Sequence, residues 1–191
     1  INKIYLWIKR CDKKMEKTNI PEYLSSNLTL LLKELEIIRN KKFNEEELIR
    51  LFNKYGIYLV IEDALNGTKI RGCTMVKNNN PCIYITRYFK EKASFYFTLY
   101  HEMGHIKSDY NKLKNKIMVN NEETSEKEMD NFALNQMIPD NIWNNVKIDP
   151  LEREKICKDN NIPLCFLYSR LAYEGIISYK SKEYNNHKEI I

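Results

Sequence analysis

The sequence predicts an α+β fold in which a small sheet packs against one helix and other helices flank this unit on both sides. Apolar residues recur at helical spacing before residue 56 and again after residue 90. Between these regions lie three short runs rich in β-branched and aromatic residues, and Asn- and Gly-containing turns separate them. We therefore expect a three-stranded antiparallel sheet, preceded by helices and followed directly by the helix that packs on it.

Length and composition indicate a globular protein. The 191 residues provide enough chain for one substantial domain with a small helical appendage. Hydrophobic residues make up 43% and charged residues 30%, and no apolar run approaches the length of a membrane span. Residues 1–11 carry three cations and no small-residue cleavage site follows them, so they do not resemble a secretory signal. We expect a cytoplasmic protein that does not bind membranes.

Charge and cysteine spacing exclude other classes. The net charge is +5, and residues 1–20 contain six Lys or Arg against two Asp or Glu. This basic segment fits a solvated helix face better than a nucleic-acid contact. The five cysteines are scattered and are never separated by two residues, which argues against a disulfide framework and against a thiolate zinc site.

The chain begins with three predicted helices. Apolar spacing predicts a short helix over residues 1–11 and a stronger amphipathic helix over 22–39. Asn44 and Glu47 form a capping-box pattern that predicts the start of a third helix, which ends at Gly56. The strands are then expected at 57–62, 70–76 and 82–86, with turns at Asn66-Gly67 and at 78–81.

The helix after the sheet contains His101, Glu102 and His105 in a His-Glu-x-x-His motif. Residues four apart share a helix face, so both imidazoles can bind one metal ion. Glu102 is rotated by about 100° and can act as a base toward water without ligating the metal. This combination is typical of hydrolytic zinc sites. An apolar stripe supports the helix: Phe95, Leu99, Met103 and Ile106. Without a third ligand, an ordinary core helix with two partly buried histidines is an equal alternative.

A carboxylate is the expected third ligand, because no other His or Cys is well placed. Acidic residues are concentrated at 122–130, where a helix start would also favour them through the helix dipole. Glu126 and Asp130 share one face, so Glu126 can ligate the metal while Asp130 accepts a hydrogen bond from a ligating imidazole. Ser125 and Glu128 form a second capping-box pattern at the start of this helix.

The remaining segments are predicted from turn and capping residues. Residues 107–121 are polar and aperiodic, so we expect a mobile surface connection that could cover the cleft. The helix with Glu126 should end at Pro139, and two short helices should follow at 151–160 and 163–174. The last dozen residues are polar and are expected to fray, which makes His187 a bystander and not a ligand.

These segments closely resemble the ImmA/IrrE-type metallopeptidases. The resemblance rests on Phe97-Thr98-Leu99-Tyr100-His101-Glu102-Met103-Gly104-His105, Glu126-Lys127-Glu128-Met129-Asp130-Asn131-Phe132-Ala133 and Met137-Ile138-Pro139. It extends to Tyr55-Gly56-Ile57, Arg71-Gly72, Ile83-Tyr84-Ile85 and Ser169-Arg170-Leu171. The matching positions lie within residues 44–178.

The resemblance implies a zincin-like fold and a zinc-dependent endopeptidase that cleaves a repressor or another regulator. It implies His101, His105 and Glu126 as ligands of one Zn²⁺, or of another divalent ion such as Mn²⁺. Glu102 would be the general base and Asp130 would orient a ligand. Two departures from the family pattern, Met129 and Tyr100 in place of small residues, are expected to change helix packing at the site.

The resemblance also suggests how the chain is organised. We expect a helical N-terminal segment at 1–42, the metallopeptidase core at 43–145 and a small helical segment at 146–191. Residues 7–39 are similar to members whose peptidase domain follows a helix-turn-helix DNA-binding domain. We expect that domain to be missing from this chain, which begins with Ile1, and any DNA contact to depend on it.

Two other functions are compatible with the sequence. One is a regulatory or antitoxin-like module that keeps the metallopeptidase fold without cutting, and the other is a helical structural protein that binds no metal. For the enzyme, the residue that stabilises the oxyanion is left open among Tyr100, Tyr110 and Arg87.

Overall fold

The computed structural model describes residues 2–114 and 123–191. Three helices precede the sheet: α1 Lys3–Met15, α2 Asn27–Ile38 and α3 Glu45–Lys54. The strands are β1 Tyr58–Ile61, β2 Gly72–Lys77 and β3 Asn80–Ile85. Six helices follow: α4 Lys92–Leu113, α5 Glu123–Met137, α6 Asp140–Ile148, α7 Arg153–Asp159, α8 Leu164–Tyr173 and α9 Lys182–His187. In the described ranges, none of these helices combines the length and the apolar character that crossing a membrane requires. The predicted α+β class is confirmed.

Helix α3 starts and ends where its local sequence predicts. The Asn44 side chain accepts a hydrogen bond from the backbone N–H of Glu47 at 3.1 Å, which is the predicted N-cap. Gly56 follows the helix with a φ of +76°, and a Cβ there would lie 2.8 Å from the backbone of Tyr23. Glycine at this position therefore allows both the left-handed turn and the close approach of the segment before α2.

The sheet is mixed, so the prediction of an antiparallel sheet is wrong for one of its two pairings. The strand order is β1-β3-β2, and β3 pairs antiparallel with β2 but parallel with β1. Asn78 and Asn79 both have positive φ, as in a type I′ hairpin turn, and this turn joins β2 to β3. Residues 62–71 carry the chain past the position of β3 before β2 begins, which leaves the fully buried β3 in the centre.

The sheet lies between α1 on one face and α4 on the other. Side chains of α1 pack on one face of the strands in a small cluster: Trp7, Cys11, Met15, Val60, Met75, Cys82 and Tyr84. The opposite face joins the main core, in which α4 buries the predicted stripe of Phe95, Leu99, Met103 and Ile106. The sheet and the core therefore hold α4 along its length.

The predicted surface connection at 107–121 is wrong for its first half. Helix α4 continues to Leu113, and residues 115–122 lie outside the described part of the chain. Helix α5 begins at Glu123, so Ser125 lies inside the helix and does not precede it, and the predicted capping contact falls outside the described side chains. Pro139 ends α5 as expected but also directly precedes α6, which the sequence analysis did not predict.

The C-terminal residues are docked, which corrects the prediction of a frayed tail. Ile190 forms a β-bridge with Glu91, just before α4. The ammonium group of Lys92, only 2% exposed, donates to the Lys41 carbonyl and to the Glu189 carboxylate, each at 2.9 Å. The tail thereby supplies the counter-ion for a cation buried at the start of α4.

All five cysteines are free thiols, as their spacing predicted. Cys11, Cys82, Cys157 and Cys165 are buried, and Cys73 on β2 is partly buried. Burial raises the pKa of the Cys11, Cys82 and Cys165 thiols to about 12 and that of Cys157 to about 11. They pack as small apolar side chains.

Candidate metal centre

Helices α4 and α5 bring His101, His105 and Glu126 together. One oxygen of the Glu126 carboxylate lies 3.1 Å from His101 Nε2, and the other lies 3.5 Å from His105 Nε2. Ligand atoms of all three side chains lie within 4.8 Å of one another. One turn of α4 sets the spacing of the two imidazoles, and the packing of α5 against α4 brings in the carboxylate.

The geometry and donor set fit a zinc ion. Zinc bonds of 2.0–2.1 Å to nitrogen and oxygen in a tetrahedron place neighbouring ligand atoms about 3.3 Å apart, close to both distances to Glu126. Oε1 of Glu126 is also buried, with no hydrogen-bond donor in the described part of the chain. A cation between the three side chains would compensate this oxygen for its lost hydration.

Two aspartates fix the orientation of the imidazoles. His101 Nδ1 lies 2.8 Å from Asp130, and His105 Nδ1 lies 3.7 Å from Asp109, so each ring turns its Nε2 toward Glu126. Burial lowers the pKa of His105, which favours the neutral imidazole that ligates metals. Asp130 lies where the sequence analysis placed it. Asp109 was missed, although its position four residues after His105 was a usable signal.

Glu102 lies beside the three ligand candidates, and its carboxylate is held by the sheet. The side chain is 6% exposed, and its Oε2 accepts a hydrogen bond of 2.6 Å from the Thr74 hydroxyl on β2. Burial raises the pKa of Glu102 to about 7, although the Thr74 hydrogen bond acts in the opposite direction. A pKa in this range suits a group that both accepts and returns a proton near neutral pH.

Gly72 makes room for that carboxylate. A Cβ at this position would lie 3.0 Å from Glu102 Oε1 and 3.2 Å from its Cγ. Any larger residue would push the carboxylate away from Thr74. Neither Thr74 nor Gly72 was predicted as a site residue, because their contact with Glu102 joins a strand to a helix and leaves no local spacing in the sequence.

A cavity of about 470 Å³ lies in front of this group. One side of the cavity is lined by residues 71–75, which comprise the start of β2 and the residue before it. Another side is formed by His101, Glu102 and Glu126. Ile4 and Ile8 of α1 are also part of the wall. β2 is an edge strand of the sheet. The Thr86 N–H donates to the Arg71 carbonyl, so Arg71 and Thr86 are a hydrogen-bonded pair of the β2–β3 ladder. Hydrogen-bonded and non-hydrogen-bonded pairs alternate along an antiparallel ladder. The backbone N–H and C=O groups of Gly72 and Thr74 therefore point away from β3.

The close approach of α5 to α4 depends on Gly104. A Cβ at Gly104 would lie 2.7 Å from Met129 Sδ and 3.1 Å from the Phe132 ring. The missing side chain leaves room for the α5 side chains. Met129 fills the space above the glycine.

The three candidates for oxyanion stabilisation lie elsewhere in the fold. The Tyr110 hydroxyl donates to the Asn79 carbonyl at 2.6 Å, and Arg87 pairs with Glu45 and Asp63. Tyr100 is 1% exposed in the core. None of the three lines the cavity, as far as the described residues show.

His187 lies apart from the metal centre. Its ring stacks on that of Tyr168 with centroids 4.0 Å apart, and its Nδ1 contacts the Glu183 carbonyl. The bystander interpretation agrees with these contacts, and the stacking on Tyr168 packs α9 against α8.

Comparisons with protein-family models, with curated protein sequences and with solved structures find no match to this chain. The functional conclusion therefore depends on the residues of the site and on their geometry.

Proposed function

We propose that this chain is a zinc-dependent endopeptidase of the ImmA/IrrE type that cleaves a protein substrate, in particular a transcriptional repressor or another regulator. The observation that carries the proposal is the convergence of His101, His105 and Glu126 beside the buried carboxylate of Glu102. A cytoplasmic location is part of the proposal, and the five free thiols support it because thiols persist in reducing compartments.

In this proposal, His101, His105 and Glu126 would hold the ion, which would supply Lewis acidity toward water and a peptide carbonyl when bound. Glu102 then accepts the proton from the attacking water and returns it to the leaving amine. Thr74 keeps the Glu102 carboxylate in place during both transfers through its 2.6 Å hydrogen bond. Asp130 and Asp109 keep the imidazoles in the orientation that presents Nε2.

The edge of β2 offers a way to bind an extended peptide. The backbone groups of Gly72 and Thr74 turn outward beside the cavity that contains Glu102. A substrate segment can pair with such an edge as an additional strand, which places one of its peptide bonds near the metal centre. This mode requires an unfolded or extended stretch of the substrate, as found in linkers and exposed loops.

Two measurements test the proposal on the full chain. Zinc content is determined after dialysis for the wild type and for Glu102→Gln. Both proteins are then incubated with a peptide library from a digested proteome, and new termini are identified by mass spectrometry. We expect about one zinc per chain in both proteins and new termini with the wild type alone. Equal cleavage by both proteins would refute the role of Glu102. Zinc binding without cleavage by either protein would favour the non-cleaving regulatory module.

A further inference from the structure

A second cavity, of about 510 Å³, opens beside the metal centre between α4, α8 and the C-terminal segment. It shares Arg71 and Phe97 with the cavity that contains His101 and Glu102. A peptide paired with the edge of β2 at Gly72 would pass Arg71 immediately afterwards. The second cavity is therefore within reach of a neighbouring side chain of the same peptide.

The walls of this second cavity are mainly apolar and aromatic. They include Phe89, Phe97, Leu134, Met137, Phe166 and Tyr173. Phe166 is fully buried and Met137 is 5% exposed, so these walls are anchored in the core of the protein. Anchored walls of this kind keep a cavity open in the free protein, which lowers the cost of binding.

Most charged groups of the walls already have partners within the protein. The Arg71 guanidinium stacks on the Phe89 ring at 4.7 Å, and Arg170 donates to the Leu134 carbonyl at 3.2 Å. The Glu91 carboxylate accepts a hydrogen bond from the Tyr184 hydroxyl. The exposed Lys188 is a further cation of the lining. The surface left for a ligand is therefore largely apolar.

Two sequence segments that have no role as metal ligands meet at this cavity. Arg71 belongs to the Arg71-Gly72 pair and Ser169 to Ser169-Arg170-Leu171, both singled out by the family resemblance. We propose that this cavity is the subsite that binds a large aromatic side chain of the substrate next to the cleaved bond. The proposal rests on the endopeptidase function and adds a preference for substrates with Phe, Tyr or Trp at one position.

The test uses tripeptide hydroxamates, whose hydroxamate group binds zinc and whose residues extend into the site. The probes are triglycine hydroxamate and its variants with a single Phe or a single Asp at each position. Binding to the zinc-loaded full chain is measured by calorimetry. We expect Phe at one position to bind at least about tenfold more tightly than triglycine, and Asp to give no such gain.

Variants of the cavity wall test whether the gain in affinity from Phe arises in this cavity. Phe89→Ala removes an exposed wall residue and should lower the ratio of Phe affinity to triglycine affinity at least about threefold. Ile37→Ala is the control, because Ile37 is an exposed apolar residue on α2 and does not line this cavity. Ser169→Trp should abolish the preference by filling the cavity. Thermal unfolding of each variant verifies that it is folded.

The outcomes separate this proposal from the endopeptidase function. Failure of triglycine hydroxamate to bind the zinc-loaded protein would show that the zinc has no open coordination position, which would refute the endopeptidase function and the subsite with it. Binding of triglycine hydroxamate with no gain from Phe would overturn the subsite alone. A gain from Asp in place of Phe would also overturn it, since Lys188 would then determine the preference. A Phe gain that survives Phe89→Ala and Ser169→Trp would place the aromatic side chain elsewhere.

Discussion

Glu126 connects the two histidines although it is the most exposed of the three candidate ligands. Its side chain is 39% exposed, against 14% for His101 and 4% for His105. Each of its carboxylate oxygens lies near a different imidazole, and Oε1 has no hydrogen-bond donor among the described residues. A bound cation would therefore interact most directly with the negative charge of the Glu126 carboxylate.

Replacing Glu126 by Gln should reduce zinc affinity at least about 100-fold, because the amide keeps the shape but lacks the charge. Elemental analysis after dialysis should give about one zinc per wild-type chain and much less for Glu126→Gln. Glu128→Gln is the control, since Glu128 is exposed on the same helix and should keep the metal. Full zinc content in Glu126→Gln would contradict its role as a ligand.

For single residues, the period of the α-helix predicts much of the metal centre. The relations of His101 to His105 and of Glu126 to Asp130 are each set by one turn, and the structure places all four in one cluster. Asp109 follows the same rule but lies in a polar stretch that conceals the continuation of α4. Thr74 could not be predicted, because its position next to Glu102 depends on how the sheet packs against α4.

Among the elements, the contact between α4 and α5 determines whether the third ligand reaches the histidines. Gly104 lies at this contact, where Met129 and Phe132 pack against the missing side chain. Glycine inside a helix costs about 1 kcal/mol of helix stability. Its presence in the middle of α4 is consistent with a requirement for close packing and not for helix formation.

Gly104→Ala should therefore destabilise the protein by about 1 kcal/mol, because overpacking exceeds the gain in helix propensity. In a Met129→Ala background the same change should be neutral or stabilising, since the side chain nearest to the new methyl group is absent. Urea denaturation of the four proteins measures the coupling between the two positions. An equal effect of Gly104→Ala in both backgrounds would show that Met129 does not limit the approach.

Helix α1 is attached to the sheet by a buried carboxylate. Burial alone would raise the pKa of Asp12, but hydrogen bonds from Lys77 and Tyr84 outweigh burial and hold the pKa below its ordinary value. The Tyr84 hydroxyl donates to Asp12 at 2.8 Å. A lowered pKa in the folded state means that the ionised carboxylate stabilises the fold above the unfolded-state pKa, and this contribution is lost as the pH falls through the folded-state pKa.

Asp12→Asn should consequently cost about 1.5 kcal/mol of unfolding free energy at neutral pH. The difference from the wild type should shrink at an acid pH below the unfolded-state pKa of about 3.9, once the native carboxyl group is protonated as well. Denaturant unfolding of both proteins at the two pH values tests this. A difference that does not change with pH would mean that shape and packing at position 12, and not charge, attach α1.

The sequence predicts the positions of the strands in the sheet but not all of their pairings. The positions of the strands and the turn at Asn78 and Asn79 follow from short-range patterns in the sequence. The parallel pairing of β1 with β3 depends on the path of residues 62–71, which no local pattern encodes. Helix α6 was missed for the opposite reason, because Pro139 both ends one helix and precedes the next.

For the whole molecule, the C-terminal tail closes the fold at the start of α4. Lys92 is buried there, and its ammonium group depends on Glu189, close to the end of the chain, and on the Lys41 carbonyl. A polar tail gives no sequence signal for such docking, since its charged residues look like those of a solvated terminus. The docking depends on the ion pair between Glu189 and Lys92, which are far apart in the sequence.

Glu189→Ala should destabilise the protein by about 2 kcal/mol, less than for a fully buried pair because Glu189 is 46% exposed. Adding Lys92→Met should restore most of the loss, because it removes the cation that the first change leaves unpaired. Thermal and urea unfolding of the single and double variants provide the measurement. If the double variant is less stable than Glu189→Ala, the tail is held by contacts other than this ion pair.

The five cysteines are distributed over the layers of the molecule. Cys11 lies in α1, Cys73 and Cys82 in the sheet, and Cys157 and Cys165 in the C-terminal helices. Burial and raised pKa values keep the four buried thiols (Cys11, Cys82, Cys157 and Cys165) unreactive while the surrounding layer is closed. The rate at which a thiol reagent labels each one therefore measures how often its layer opens, so the protein contains natural probes for the order in which α1, the sheet and the C-terminal helices separate.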